Sequence, residues 1–159
     1  MAETLYLTKQ RQQELEEELQ FLTTVRRREV AQKIAEARSH GDLSENADYD
    51  AAKDEQGLLE LKISKIGEIL ANAQIINPDQ FTYDKVRILS KVQIKNLDNG
   101  EIFEYDMVSP EESDFEKNKI SVTSLVGKAL MGKSVGDKVQ IKVPAGILNY
   151  EILKISKID

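Results

Sequence analysis

Apolar side chains in the first half of the chain recur at helical spacing. Leu15, Leu19, Leu22, Val30 and Ile34 advance by three, four or their sum, apart from the longer step between Leu22 and Val30, which Val25 bridges. Leu59, Ile63, Ile66, Leu70 and Ala73 advance by four, three, four and three, a heptad-like seam. No proline interrupts 8–77, and the stretch is dense in Glu, Gln, Ala, Leu and Lys, which lose little side-chain freedom in a helix. Between the two stripes lies Ser39-His40-Gly41-Asp42-Leu43-Ser44, where Gly41 suits the C′ position of one helix and Asp42 or Ser44 the N-cap of the next. The pattern predicts two helices of roughly 30 residues, about 45 Å each. Folded back on each other, they would form an antiparallel coiled-coil hairpin over 1–77, long enough to project.

The period changes at Pro78. Short runs rich in β-branched and aromatic residues follow, separated by turn residues, and predict strands over 86–89, 91–97, 101–108, 138–143 and 150–155. Asp98-Asn99-Gly100 is a hairpin turn signal, and one helix is predicted over 124–131, ended by Gly132. Phe81, Tyr83, Phe103, Tyr105, Phe115 and Tyr150 read as core or sheet-face residues. The fold class is α+β: a helical hairpin over 1–77 and a second domain over 78–159, a small antiparallel sheet with one helix.

Composition narrows the chemistry. The chain has 159 residues, 22 basic against 28 acidic side chains, one His and no Cys. Disulfides, thiolate zinc sites, cysteine nucleophiles and multi-histidine metal sites are thereby excluded. A net charge of −6 argues against a mainly electrostatic grip on nucleic acid. No apolar run approaches the roughly 20 residues of a membrane span, and MAETLYLTKQ lacks a signal-peptide core. A cytoplasmic protein is expected.

The chemistry concentrates at the hairpin turn. Asp42, Glu45, Asp48, Asp50, Asp54 and Glu55 crowd six acids into fourteen residues, against Lys53 alone. Asp42 three residues before Glu45 has the spacing of a capping box, which accounts for the pair structurally. Two carboxylates at a turn also make half of a magnesium site, because Mg²⁺ takes oxygen ligands and commonly shares them with a partner. Capping by the acids calls for neither Asn46-Ala47 nor Ala51-Ala52, so the whole run says more than the acids do. Arg26, Arg27 and Arg28 read as a solvated face with ion pairs to Glu29 or to the facing helix. Tyr49 reads as an aromatic clamp at the hairpin end, and His40 as a cap or packing residue without a catalytic role.

The run Ile34-Ala35-Glu36-Ala37-Arg38, His40-Gly41-Asp42-Leu43, Glu45-Asn46-Ala47, Tyr49 and Ala51-Ala52 resembles the tip signature of the bacterial transcript cleavage factors, the GreA/GreB family. Phe115, Ile120-Ser121-Val122, Ser124, Gly127, Ala129-Leu130, Gly132-Lys133, Gly136-Asp137, Val143-Pro144 and Gly146 resemble that family's C-terminal domain, so the likeness spans essentially the whole chain.

The resemblance implies a transcription elongation factor whose hairpin enters the secondary channel of RNA polymerase. A C-terminal domain of the FK506-binding-protein type would dock at the channel mouth. It further implies that Asp42 and Glu45 help coordinate the second, weakly held Mg²⁺ of the polymerase. That ion would be shared and not stably bound by the free protein, and the polymerase would be stimulated to cleave the 3′ end of backtracked RNA. Ser44 would hydrogen-bond the water or substrate, or simply cap. Arg38 and Lys53 match positions of a basic patch that contacts the RNA 3′ end. Ser121, Ser124, Gly127, Leu130, Gly132 and Lys133 match the docking region. The factor would be a monomer and not itself an enzyme. The alternatives are an inhibitory channel-binding paralogue, or a coiled-coil chaperone or scaffold with no cleavage role.

Overall fold

The computed structural model describes residues 4–42 and 46–158. By packing, the described residues divide into two units: those of 10–42 and 46–73 form one, and those of 4–9 together with 74–158 form the other.

The first unit is the hairpin. Helix α1 (Lys9–Phe21) runs through a π-helical turn at Leu22–Arg26 into α2 (Arg27–Arg38), and α3 (Ala47–Asn72) returns. Leu15, Leu22, Val30 and Ala37 are buried on the outgoing side and Ala52, Leu59 and Ile66 on the returning side. The returning three keep a strict seven-residue repeat, whereas the outgoing seam takes eight residues between Leu22 and Val30. The π-helical turn absorbs the extra residue, since a wider turn consumes one more position before the same face returns. Arg27 N–H bonds back to Leu22 O across five residues. The Thr23 hydroxyl donates to Leu19 O at 2.9 Å and the Thr24 hydroxyl to Gln20 O at 2.6 Å, occupying carbonyls next to the widened turn. Val25 is exposed and does not bridge the seam as its spacing suggested.

Cross-helix ion pairs lace the flanks. Arg27 forks onto Glu60 with two bonds of 2.9 Å, Arg26 reaches Glu55 at 3.0 Å, Lys33 shares that carboxylate at 3.0 Å, and Lys62 meets Glu18 at 3.1 Å. Arg26 also pairs with Glu29, so the expectation of ion pairing for this cluster holds for Arg26 and Arg27. Hydrogen bonds from Lys33 and then Arg26 hold the Glu55 pKa below its ordinary value, and Arg27 does the same for Glu60. A depressed carboxylate contributes stability above its unfolded pKa and loses it as pH falls through its folded one. Hairpin stability should therefore decline as pH drops below the ordinary Glu value of about 4.3. Glu55→Gln and Glu60→Gln should be less stable than the parent at pH 6 yet converge with it by pH 3. Thermal unfolding followed by far-UV circular dichroism checks this, and equal spacing of the curves at both pH values would contradict it.

The second unit begins where the sequence predicted helix. Strand β1 (Tyr6–Thr8) pairs in parallel with β2 (Gln74–Ile76), and Leu5 and Leu7 are buried. Tyr6 N–H bonds to Ser109 Oγ at 3.1 Å and Gln74 N–H to Leu5 O at 2.7 Å. The helical stretch drawn over 8–77 is thus trimmed at both ends, and the boundary at 77 shifts: residues 4–9 and 74–77 pack with the sheet unit. The physical reason is non-local, because β1 and β2 lie more than sixty residues apart in sequence and form only by meeting each other.

The main sheet has the order β5-β4-β3-β7-β6, with β3 (Ser90–Asn96), β4 (Ile102–Val108), β5 (Lys119–Ser121), β6 (Lys138–Val143) and β7 (Gly146–Lys157). Central β3 alternates strictly, with Ser90, Val92, Ile94 and Asn96 buried and the residues between them half-exposed, as a strand with one face on the core requires. Val92 and Ile94 join Met107, Leu130, Val139, Ile141, Ile152 and Ile155 in one core. The β3–β4 turn forms as its Asp98-Asn99-Gly100 signal predicts, with Asn96 Oδ1 accepting from Asp98 N–H at 2.8 Å and Gly100 at φ +79°.

Two strand expectations change. Residues 86–89 form no strand: a turn ties Ser90 N–H to Arg87 O, Ser90 Oγ bonds both polar groups of the Arg87 backbone, and Leu89 takes φ +64°. Strand β5, absent from the predicted set, is three residues long and runs parallel to β4, too short for alternation to register. The predicted helix is α4 (Leu125–Leu130). Phe115 is 80% exposed, contrary to its expected core or sheet-face place, whereas Phe103, Tyr105 and Tyr150 gather with ring centroids 6.1 and 6.4 Å apart.

Candidate functional site

The hairpin tip is built from the last turn of α2 and the first turn of α3. Helix α2 closes with Ser39 as C-cap, and His40 N–H bonds to Ala37 O at 3.1 Å. Gly41 at φ +109° then reverses the chain, a backbone that only glycine adopts without strain. Its left-handed turn falls two residues beyond the C-cap, one later than the C′ position its sequence suggested. Asp42 follows, exposed. Leu43, Ser44 and Glu45 lie outside the described residues.

Helix α3 is capped by Asn46, not by Asp42 or Ser44. Asn46 sits at φ −92°, ψ 99°, and its Oδ1 accepts from Tyr49 N–H at 3.0 Å. Its Nδ2 donates to Ala37 O at 2.7 Å. The capping-box reading of Asp42 and Glu45 is therefore superseded, and so is the view that capping had no use for Asn46. The missed signal was local. Asn is among the strongest N-caps, and Asp48 and Asp50 behind it supply the negative first turn that a helix N-terminus favours.

Two further side-chain links cross the tip. The Arg38 guanidinium lies over the Tyr49 ring at 5.9 Å, a cation–π contact that fits Tyr49 as a clamp. His40 Nδ1 stands 3.7 Å from Asp48 Oδ2, an ion pair when the imidazole is protonated. On the opposite helix Lys53 is exposed and donates to Gln56 Oε1 at 2.9 Å. Ala37 and Ala52 are buried, and with Ala51 they floor an open groove of about 230 Å³ edged by Lys33, His40, Asp48 and Glu55.

The 121–133 segment separates into supports and surface. Ser124 is the N-cap of α4: its Oγ accepts from Gly127 N–H at 3.0 Å and donates to Ser121 O at 2.7 Å. Gly127 is buried, and a Cβ there would stand 2.0 Å from Ser121 O, so only glycine fits. Leu130 is 0% exposed, in the sheet core. Gly132, at φ +79°, and Lys133 pair their backbones with Val86. Of the six residues matched to docking, Gly127 and Leu130 hold the segment's shape from within. Ser121 and Ser124 are half-buried, while Gly132 and Lys133 are exposed.

Comparison with known proteins places this geometry in a class. The family model described as "Transcription elongation factor, N-terminal" matches residues 5–75, and that described as "Transcription elongation factor, GreA/GreB, C-term" matches residues 80–157. The class is that of the transcription elongation factors, and the chain belongs to their GreA/GreB family. It is 56% identical over 156 residues to the transcription elongation factor GreA of Chlorobaculum parvum, covering 98% of each chain. It is 48% identical over 157 residues to that of Flavobacterium johnsoniae, covering 99% of each. Among solved structures, GreA factor homolog 1 of Thermus thermophilus is 27% identical with a TM-score of 0.46, over 96% of this chain and 99% of that one. No helix among the described residues is long and apolar enough to cross a membrane.

Proposed function

We propose that the protein is a transcript cleavage factor of bacterial RNA polymerase. Its hairpin enters the polymerase's secondary channel, its sheet unit docks at the channel mouth, and its tip stimulates Mg²⁺-dependent cleavage of the 3′ end of backtracked RNA. Arrested complexes are thereby returned to elongation. The observation that carries this reading is the identity of the cap: Asn46 performs the capping that would otherwise explain acids at 42 and 45.

The donors fit a shared hard cation. Asp42 and Glu45 offer carboxylate oxygens, the donor type that Mg²⁺ takes. Two carboxylates from the factor joined to ligands from the polymerase suit an ion that neither protein encloses alone. When bound there, Mg²⁺ would polarise the scissile phosphate and acidify water. The chain's own part is positional. Arg38 and Lys53 hold phosphates of the extruded RNA without reading its sequence, and Ser44 hydrogen-bonds the water or the substrate. Bond cleavage belongs to the polymerase active site, so the factor is not itself an enzyme. It acts as a cytoplasmic monomer. Ser121, Ser124, Gly132 and Lys133 face the polymerase, with Gly127 and Leu130 supporting them from beneath.

The test adds purified protein to stalled, backtracked bacterial transcription complexes with Mg²⁺ present. Short RNA fragments carrying the 3′ end should be released and elongation should resume. Slowed nucleotide addition with no fragments would identify an inhibitory channel binder. No effect on either would return the protein to a scaffold or chaperone role.

A further inference from the structure

We propose that Asn46 is a positioning residue for cleavage, a clasp whose single carboxamide fixes both ends of the loop that carries Asp42 and Glu45. The inference rests on the tip reading above. Asn46 Nδ2 donates to Ala37 O at 2.7 Å, in the last turn of α2, while Oδ1 accepts from Tyr49 N–H at 3.0 Å, in the first turn of α3. Ala37 O already accepts from His40 N–H at 3.1 Å and takes the Asn46 amide on its second lone pair, whereas Tyr49 N–H is one of the orphan donors of a helix N-terminus. One side chain thus caps the start of α3 and ties it to the end of α2.

The residue type is diagnostic. If capping were the whole task, Asp would serve as well as Asn, and its charge would interact favourably with the helix dipole. What Asn offers beyond Asp is a donor, because an ionised carboxylate and a carbonyl both only accept. That donor is spent on Ala37 O, across the tip. The Arg38–Tyr49 stack and the His40–Asp48 pair brace the same two turns, so the clasp lies within a set of links between 37–40 and 46–49. Glu45 is the residue directly before Asn46, and Asp42 lies between the two anchor points in sequence. The tie holds the described residues on either side of the acids, Ala37 and Asn46, to each other, which matters because a misplacement of about 1 Å can cost a hundredfold in rate.

The experiment compares Asn46→Asp and Asn46→Ser with the parent and with Asp42→Asn in the transcript cleavage assay, titrating each factor to saturation. Both Asn46 variants keep a capping acceptor; Asp has no donor for Ala37 O, and the Ser hydroxyl, on a side chain one bond shorter than the carboxamide, does not span to it, so the neutral Ser separates the lost tie from added charge. The expected result is unchanged helix content, an unchanged factor concentration for half-maximal effect, and a maximal cleavage rate lowered at least about tenfold. Parental maximal rates in either variant would overturn the clasp. So would a shift confined to the half-saturating concentration, or loss of helix content in both variants, which would make Asn46 a folding residue. If Asp42→Asn is impaired while the Asn46 variants are not, the clasp alone fails. If Asp42→Asn also cleaves at the parental rate, the tip-acid reading fails and takes the clasp with it.

Discussion

Asp42→Asn should leave the hairpin folded and lower stimulated cleavage by roughly a hundredfold, the scale on which removal of one preorganised electrostatic partner slows an active site. Magnitudes separate the two roles. A lost N-cap costs about 0.5–2 kcal/mol of helix stability, but the cap of α3 is Asn46, with its Oδ1 3.0 Å from Tyr49 N–H, so replacing Asp42 does not touch it. The amide of Asn keeps the size and much of the hydrogen-bonding capacity of Asp while losing the charge that a hard divalent cation prefers. With docking proposed for the other unit, competition with the parent for polymerase is expected to be unaffected. Glu45→Gln is expected to behave alike. A well-folded Asp42→Asn protein with parental cleavage would remove Asp42 from the chemistry.

Gly127→Ala should be among the most destabilising single-methyl additions in the sheet unit. Its Cβ would meet Ser121 O at 2.0 Å and Ser124 Oγ at 2.9 Å, against an ordinary carbon–oxygen contact of about 3.3 Å. Neither neighbour can step aside at small cost. Ser121 O already accepts from Ser124 N–H at 3.1 Å and from the Ser124 hydroxyl at 2.7 Å, and Ser124 Oγ caps α4 through Gly127 N–H. Overpacking of about 1–3 kcal/mol combines with a disturbed cap of about 1 kcal/mol, for an expected loss near 3 kcal/mol. Gly132→Ala is the control: φ is +79° but no atom lies within 4 Å, so it carries strain alone, about 1 kcal/mol. Urea unfolding followed by near-UV circular dichroism measures both. A Gly127→Ala midpoint within error of the parent would show that the 121–127 turn is not closed as described.

What could be read from the sequence follows the range of the interaction. The seam of Leu15, Leu22, Leu59 and Ile66, the alternation in β3 and the Asp98-Asn99-Gly100 turn depend on neighbours within a few residues, and all three are legible. The β1–β2 pair was hidden because Tyr6–Thr8 and Gln74–Ile76 each look like helix flanks until they meet. The π-helical turn left a trace, the long step from Leu22 to Val30, which an exposed Val25 had masked as a bridge. At the tip, the acids drew attention from Asn46 because an amide carries no charge, and its second bond, to Ala37 O nine residues earlier, cannot be inferred from spacing. In the 121–133 segment the family motif marked six residues alike, and only burial separates Leu130 and Gly127 from the surface they support.

The account stands most directly on one titration: cleavage rate against Mg²⁺ concentration, in backtracked complexes saturated with either the parent or Asp42→Asn. If the tip shares the ion, the variant's curve should shift to higher Mg²⁺ and recover part of the lost rate there, because a poorer ligand is offset by mass action. Superimposable Mg²⁺ curves for the two proteins would contradict the shared-ion account, whatever their absolute rates.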